Sequence, residues 1–184
     1  MHQLARPEST VGFDLGLVDE RALVDAAREH GVADELPPGL RFEQSYEDRI
    51  PAPDGAFDVV VSWSAFEHVS DVDAMMGEVR RVLAPGGVLM IQLYPFYLSE
   101  HGDHGWHRPS FEHLLTGVDE TPDDAFLNRI TLDELHRALF EHGLHVGKVE
   151  LIHHAFHVPP QLLDRRLTDL AIGGVKLLAV RSAD

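Results

Sequence analysis

The fold is decided by two apolar stretches, FDVVVS at residues 57–62 and VLAPGGVLMI at residues 82–91, with one amphipathic helix between them. The three consecutive valines of the first stretch are typical of a strand in a parallel sheet that is covered on both faces. In the helix, apolar residues recur at helical spacing from residue 72, and Ser70 or Asp71 can cap its start. The second stretch ends the helix with Pro-Gly-Gly and then predicts the next buried strand.

Further strands and helices are predicted on both sides of these stretches. Upstream, a strand, a helix and a second strand are predicted at residues 10–14, 19–30 and 40–44. Downstream, a capping-box pattern from Thr131 to Glu134 opens a helix. Two closing strands, which can pair antiparallel, are predicted at residues 146–152 and 175–180. This alternation predicts a single domain over residues 1–184, built as a doubly wound, mostly parallel α/β sheet.

The composition excludes several classes of function. The 184 residues are 44% hydrophobic, enough for one core, and carry a formal net charge of −16. Such acidity makes nucleic acid and anionic membranes poor partners, because lysine and arginine supply nearly all of that binding. The absence of cysteine rules out disulfides, thiolate metal sites and a cysteine nucleophile. Neither a signal peptide nor an apolar run of about 20 residues occurs, so we expect a cytoplasmic protein.

Three motifs in a fixed order resemble the class I S-adenosylmethionine-dependent methyltransferases, most closely their small-molecule branch. They are RIPAPDGAFDVVVS at residues 49–62, FEHV at residues 66–69 and EVRRVLAPGG at residues 78–87. The resemblance covers residues 10–95 closely and the part after Thr131 more loosely. It implies a Rossmann-like fold, S-adenosylmethionine as cofactor and methyl transfer to a small-molecule acceptor.

The resemblance also implies cofactor-binding residues. The family holds the cofactor ribose with an acidic residue at the end of its second strand, where this chain has Asp14. A carboxylate suits that role because it accepts hydrogen bonds from two hydroxyls. The alternative is that Asp14 only caps the following helix.

Other cofactor contacts follow the next two strands. On the adenine side, Tyr46 occupies the position where the family carries an acidic residue, and Glu47 or Asp48 can substitute for it. On the methionine side, Ser62 and Trp63 end the strand after which the family places this part of the cofactor.

One part of the family pattern has no counterpart in this sequence. The first strand and its glycine-rich turn are expected before Asp14, but only ten residues precede Val11. We therefore expect the first strand to be missing and its pairing to be replaced by direct contact of the two halves, by a second subunit or by residues upstream. An alternative function follows, a degenerate domain without activity that serves in association, for instance as a homodimer. A dehydrogenase is disfavoured, because a nicotinamide site needs the same turn.

His68 is the first candidate for the catalytic base. If the acceptor is a hydroxyl or a protonated amine, a base must take its proton, and histidine titrates near neutral pH. His68 lies just after the strand at residues 57–62, at the edge where open α/β sheets bind ligands. The alternative is a structural, hydrogen-bonded histidine. The neighbouring Glu67 is favoured near a helix start by the helix dipole alone, so no catalytic role is assigned to it.

Residues 94–128 are predicted to form an inserted lid or substrate-binding segment, since they lack periodicity and exceed ordinary connections in length. Tyr94, Tyr97 and Trp106 would supply binding surface and His104 a second catalytic proton acceptor. A metal site of His101 and His104 with Asp103 or His107 is the alternative. No metal ligand is assigned, because the spacing fits no closed site.

Overall fold

The computed structural model describes residues 7–117, 126–154 and 156–183. The chain divides into two compact units, one ending at Pro51 and the other beginning at Ala52. The strands are β1 Thr10–Asp14, β2 Leu40–Gln44, β3 Phe57–Trp63, β4 Leu83–Leu93, β5 Leu144–His153 and β6 Ile172–Arg181. The helices are α1 Glu20–Glu29, α2 Val72–Val82, α3 Glu112–Thr116, α4 Leu132–Glu141 and α5 Leu167–Ala171. The predicted α/β class is therefore confirmed.

The smaller unit is a β-α-β arrangement. β1 pairs in parallel with β2, from Thr10 opposite Leu40 to Asp14 opposite Gln44. α1 connects the two strands, and Asp19 caps its start by accepting hydrogen bonds from two backbone N–H groups of the first turn. The carboxyl ends of both strands therefore lie at the same edge of this sheet.

The larger unit contains a mixed sheet with the strand order β3-β4-β6-β5. β3 pairs in parallel with β4, whereas β6 runs antiparallel to both β4 and β5, as predicted for the closing strands. The carboxyl ends of β3, β4 and β5 thus meet the start of β6 at one edge. We call this edge the carboxyl edge of the larger unit.

The core of the larger unit lies on one face of its sheet. Alternate residues of β4 and β6 point to this face and are buried, which follows from the two-residue repeat of a strand. α2 and α4 bury their apolar stripes here as well. The buried side chains are Met76, Val79, Val82, Leu89, Ile91, Leu93, Leu135, Ala138, Leu139, Val175, Leu177 and Ala179.

The opposite face of this sheet differs from the prediction. Val59 and Val61 were expected to be buried, but their side chains are 52% and 58% exposed, and the neighbouring Met90 is 42% exposed. The strand itself is formed as predicted. The burial prediction is wrong because the described helices of this unit bury the other face, where Val60 is opposite the buried Leu89.

The described part of the predicted insertion is largely turns with one short helix, α3. It is attached to the unit by Phe111, which is fully buried with Leu162 and Leu170 and meets the Phe156 ring at 5.0 Å between centroids. Residues 118–125 of the predicted lid lie outside the described residues. Within the described ranges, every helix is too short or too polar to cross a bilayer.

α4 begins with the predicted capping box. The Thr131 hydroxyl oxygen accepts a hydrogen bond from the Glu134 N–H at 3.3 Å, and the Glu134 carboxylate accepts one from the Thr131 N–H at 2.9 Å. The bonds from the Thr131 backbone and hydroxyl lower the pKa of Glu134. Their contribution to stability is present above the unfolded pKa of this carboxyl and is lost as the pH falls through its lower folded pKa.

Replacement of Thr131 by alanine tests this cap. We expect Thr131→Ala to lower the free energy of unfolding by about 1 kcal/mol, because N–H groups at the start of α4 lose their partner. Thr131→Ser keeps the hydroxyl and should retain most of the stability. Urea denaturation at neutral pH measures both variants. Equal stability of the alanine and serine variants would contradict a stabilising cap.

Candidate functional site

Asp14 lies at the carboxyl end of β1 with an exposed side chain. One carboxylate oxygen accepts a hydrogen bond from the Gly16 N–H at 2.8 Å, which shapes the turn after the strand. The cap of the following helix is Asp19, so the alternative interpretation of Asp14 as that cap is wrong. The helix begins too far along the chain for Asp14 to reach its first N–H groups.

Tyr46 and Glu47 follow the carboxyl end of β2, at the same edge as Asp14. The Ser45 N–H donates to the Asp14 carbonyl at 2.7 Å, which holds the two strand ends together. A tight turn then pairs Tyr46 with Arg49 and leaves the tyrosine ring 59% exposed. In the smaller unit, the structure therefore brings together the predicted ribose and adenine residues.

Ser62 and Trp63 end β3 at the carboxyl edge of the larger unit. As consecutive strand residues they point to opposite faces of the sheet, opposite Ile91 and Gln92 respectively. Ser62 is half-buried, whereas Trp63 is exposed with the Lys176 ammonium 6.0 Å from its ring centroid. The two predicted cofactor residues thus present different surfaces, and only one of them can line a site on a given face.

A single 3₁₀ turn, Phe66–His68, follows β3 and carries two candidate groups. The Glu67 side chain is 3% exposed, and its Oε2 has no hydrogen-bond partner within the described ranges of the chain. Burial raises the pKa of Glu67. His68 Nδ1 lies 2.9 Å from the Phe126 carbonyl oxygen. Since a carbonyl only accepts, Nδ1 carries the proton and Nε2 presents a lone pair.

His104 lies against this turn, although it belongs to the segment after β4. Its ring centroid is 5.4 Å from that of His68, and its Nε2 is buried with no hydrogen-bond partner in the part of the chain that the structure describes. Burial, followed by the proximity of His68, lowers the pKa of His104. One candidate ligand atom each from Glu67, His68 and His104 lies within 4.8 Å of the other two. We call these three residues the Glu-His-His cluster.

An aromatic group adjoins this cluster at the carboxyl edge. The rings of Tyr94 and Trp106 are stacked, with centroids 5.5 Å apart and planes at 16°. The Tyr94 hydroxyl lies 3.2 Å from His154 Nε2, and the His104 ring is 6.2 Å from that of Trp106. We call the stacked Tyr94 and Trp106 rings the aromatic platform. Trp106 is 52% exposed, so the platform has a surface on which a ligand can stack.

Comparisons with known proteins indicate the family and the fold of the chain. Residues 6–91 match the family described as a methyltransferase domain. A sterol 24-C-methyltransferase of Gibberella zeae is 30% identical over 137 residues, 70% of this chain and 30% of the relative. A demethylmenaquinone methyltransferase of Deinococcus radiodurans is 36% identical over 73 residues, 40% of this chain and 30% of the relative. The solved structure of an S-adenosylmethionine-dependent methyltransferase from Mesorhizobium loti gives a TM-score of 0.61 at 20% identity, covering 94% of this chain and 80% of that one.

Residues 6–91 belong to the methyltransferase-domain family, and the fold of a solved S-adenosylmethionine-dependent methyltransferase covers 94% of the chain. This confirms the predicted family and its Rossmann-like fold. The chain spans about a third of the length of the curated relatives it matches, with 30% and 34% of two sterol 24-C-methyltransferases covered. The family implies S-adenosylmethionine as the cofactor.

The residues of this methyltransferase fit that cofactor chemically. An exposed carboxylate, as on Asp14, can accept hydrogen bonds from ribose hydroxyls, and the exposed ring of Tyr46 can stack on an adenine. Both lie at the carboxyl end of parallel strands, where ligands of open α/β sheets bind. Glu47 is in the turn beside them and can reach the same edge.

Tyr97, the third predicted substrate residue, contacts a different set of side chains. Its ring meets that of His113 at 5.2 Å between centroids, and the Arg129 guanidinium lies 4.5 Å above it. Its carbonyl oxygen accepts a hydrogen bond from His113 Nε2 at 2.8 Å. These contacts connect the start of the segment after β4 to α3 and to the segment before α4, which is a structural role.

A buried ion pair organises the loop that carries His104 and Trp106. The Asp103 carboxylate, 3% exposed, is 2.6 Å from Arg108 Nη2, 3.1 Å from the Gly105 N–H and 3.6 Å from His113 Nδ1. Both of its oxygens are therefore engaged. The alternative metal grouping of the sequence analysis would need an Asp103 oxygen that is already bonded to these partners. The structure places His104 with Glu67 and His68 instead.

Glu67 is the functional candidate that the sequence did not single out. Its position in FEHV is compatible with an ordinary acidic residue at a helix approach. An available signal was the apolar stretch around it, because a carboxylate between Phe66 and Val69 has a raised chance of burial. Its proximity to His104 brings together residues that are far apart in the sequence, and no local sequence pattern predicts it.

Replacement of Arg108 tests the buried ion pair. We expect Arg108→Ala to destabilise the loop by about 3–5 kcal/mol, because it leaves a buried carboxylate without its countercharge. The double variant Asp103→Asn/Arg108→Ala should recover part of the loss. Hydrogen exchange at the Gly105 N–H and urea denaturation measure the effect. Arg41→Ala, which removes an exposed pair with Glu43, is the control. A loss no larger than that of the control would contradict a structural role for the ion pair.

Proposed function

We propose that this chain contributes the catalytic domain of an S-adenosylmethionine-dependent enzyme that methylates a small molecule. The observation that carries the proposal is the exposed Asp14 carboxylate at the carboxyl end of β1, which is not used as the helix cap. Family membership supports it, as do the polar and aromatic groups gathered at the carboxyl edge of the larger unit. A cytoplasmic location and homodimerisation stay predictions from the sequence.

Cofactor and chain have separate roles in this reaction. When bound, S-adenosylmethionine supplies an electrophilic methyl group on a sulfonium sulfur. Asp14 and Tyr46 would hold its ribose and adenine, with Glu47 as a further candidate in the same unit. Ser62 and Trp63 of the larger unit stay cofactor-binding predictions from the sequence. The chain's main contribution is alignment, because holding two reactants in reactive geometry supplies much of the rate enhancement of a displacement.

His68 is the proposed base, which takes the proton when the methyl acceptor is a hydroxyl or an ammonium group. Its Nδ1–H donates to the Phe126 carbonyl, which orients the ring and leaves Nε2 with a lone pair. With the cofactor bound, a hydroxyl would lose its proton to this nitrogen while its oxygen bonds the methyl carbon, whose bond to sulfur would break. An ammonium group would have to give its proton to this nitrogen before the displacement, because it has no lone pair until then. Burial and the nearby His68 lower the pKa of His104, which favours its neutral form, so His104 is the second candidate for taking the proton.

The aromatic platform favours an acceptor with a ring. Stacking on Tyr94 and Trp106 would add binding energy from apolar and π contact without a fixed hydrogen-bond pattern. The names of two relatives refer to a sterol and to demethylmenaquinone, both ring-containing small molecules. We therefore extend the proposal to a ring-containing small-molecule acceptor.

A second candidate function is association with another chain. The exposed apolar side chains of Val59, Val61 and Met90 on one sheet face favour it, because large exposed apolar patches mark interaction surfaces. In that case the domain would serve as a partner subunit or homodimer without activity.

Cofactor binding is the first test. We expect S-adenosylhomocysteine to bind the purified chain with one-to-one stoichiometry in calorimetry, and Asp14→Asn to weaken it at least about tenfold through loss of charge-assisted hydrogen bonds. Asp34→Asn removes another exposed carboxylate of the same unit and should leave the affinity unchanged. Absence of binding by a folded sample would overturn the proposal. A dimer in light scattering that binds no cofactor would support association instead.

Trp106→Ala tests the aromatic platform. In a screen of phenols, quinols and sterols that follows release of S-adenosylhomocysteine, we expect this variant to raise the acceptor KM about tenfold while kcat changes little. Cofactor affinity should not change. Phe140→Ala, which removes an exposed ring from α4, is the matched control. Equal acceptor KM values for the two variants would place acceptor binding elsewhere.

A further inference from the structure

We propose that Glu67, His68 and His104 form a binding site for a divalent transition-metal ion such as Zn²⁺. One carboxylate oxygen and two imidazole nitrogens from these residues lie within 4.8 Å of one another. Two imidazoles and one carboxylate are a donor set that such ions prefer, and it recurs in zinc sites that keep a coordination position open. The family assignment does not require this site.

The buried carboxylate is the first argument for an ion. Glu67 is 3% exposed, and no described residue is a hydrogen-bond partner of its Oε2. A polar atom in this position carries the full cost of lost hydration without compensation. A cation between Glu67 and the two histidines would supply the missing partner. Unpartnered buried polar groups are uncommon and call for an explanation of this kind.

The protonation pattern of the histidines is the second argument. His68 donates from Nδ1 to the Phe126 carbonyl, the arrangement that orients many metal-binding histidines and leaves Nε2 free to coordinate. His104 Nε2 is buried and has no hydrogen-bond partner among the described residues, so it too can offer a lone pair. One nitrogen of each imidazole lies within 4.8 Å of a Glu67 carboxylate oxygen.

The dimensions of the cluster suit an ion once its side chains contract around it. Zinc binds nitrogen and oxygen ligands at about 2.0–2.2 Å, so two ligands at the tetrahedral angle lie about 3.4 Å apart. Ligand atoms that are now up to 4.8 Å apart would therefore have to approach one another by up to about 1.4 Å. Three protein ligands would leave at least one position for water or substrate.

The backbone holds His104 in the position that this site needs. Its φ of 61° lies in the left-handed region, which non-glycine residues seldom adopt. The His104 N–H donates to the His101 carbonyl at 3.1 Å, and the His104 carbonyl accepts from the Trp106 N–H at 2.9 Å. The neighbouring Asp103 is fixed by its buried ion pair with Arg108. These contacts fix the backbone of the loop at His104, and the backbone sets the position from which the imidazole ring extends.

The ion would also change the chemistry of the acceptor, and this part of the inference rests on the proposed function. Nε2 of His68 cannot both coordinate an ion and accept a proton. In the metal-bound protein the acceptor hydroxyl would bind at the open position, where the cation lowers its pKa, and its proton would leave to water. The binding of the metal itself does not depend on methyl transfer.

Metal binding can be measured directly on the full chain. We propose to remove metals with chelator from protein purified without a histidine tag, and then to titrate it with Co²⁺ followed by visible absorption and with Zn²⁺ followed by calorimetry. The expected result is one ion per chain, with a tetrahedral or five-coordinate Co²⁺ spectrum. Glu67→Gln and His104→Asn should each weaken binding at least about tenfold. Asparagine is chosen at residue 104 because it tolerates a positive φ.

His101→Ala and His107→Ala are matched controls, since they remove histidines of the same loop outside the cluster. Metal affinity that is unchanged in both Glu67→Gln and His104→Asn would overturn the site. Metal affinity that is lost in a control variant but kept in these two variants would overturn it as well. So would the absence of binding by folded protein. Circular dichroism checks the fold of each variant, and His104→Asn keeps the test valid if Glu67→Gln does not fold. S-adenosylhomocysteine binding without metal binding would overturn only the metal site, and the reverse result would overturn only the proposed function.

Discussion

The parallel pairing of β3 with β4 is the constraint on which the larger unit depends. It places the carboxyl ends of both strands at one edge of the sheet. Because β6 is antiparallel to β4, the start of β6 lies at this edge as well. Side chains that leave these strands must therefore meet. The Glu-His-His cluster and the aromatic platform both result from this arrangement, although their members come from separate stretches of sequence.

Most of the strands and helices could be predicted, because their signals are local. β1 and β2 match residues 10–14 and 40–44, and the Thr131 capping box opens α4 as expected. The valines of β3 show what such local signals do not predict. A run of β-branched residues predicts extended backbone, but burial depends on which element covers each face, and neighbouring residues carry no information about that.

The candidate site was predicted only in parts. His68 and His104 were both marked by residue type and position, yet their proximity depends on how the segment after β4 closes over the turn after β3. Asp103 was only an alternative ligand in the sequence, and in the structure Arg108 and the Gly105 N–H bond to its oxygens. The smaller unit was simpler, since Asp14 and Tyr46 follow two strands whose parallel register already brings them to one edge. Contacts between distant segments are set by packing, which periodicity does not describe.

The buried Asp103–Arg108 pair has a consequence for how this protein can change over generations. The pair is buried and holds the loop in place, whereas Trp106 lies on the same loop and is exposed to solvent. Substitutions at Trp106 can therefore alter what stacks on the platform while the anchor keeps the backbone in place. Mutations at the ion pair would disturb every residue of the loop together. Divergence toward new acceptors should accordingly proceed through the exposed positions, with the anchor inherited unchanged.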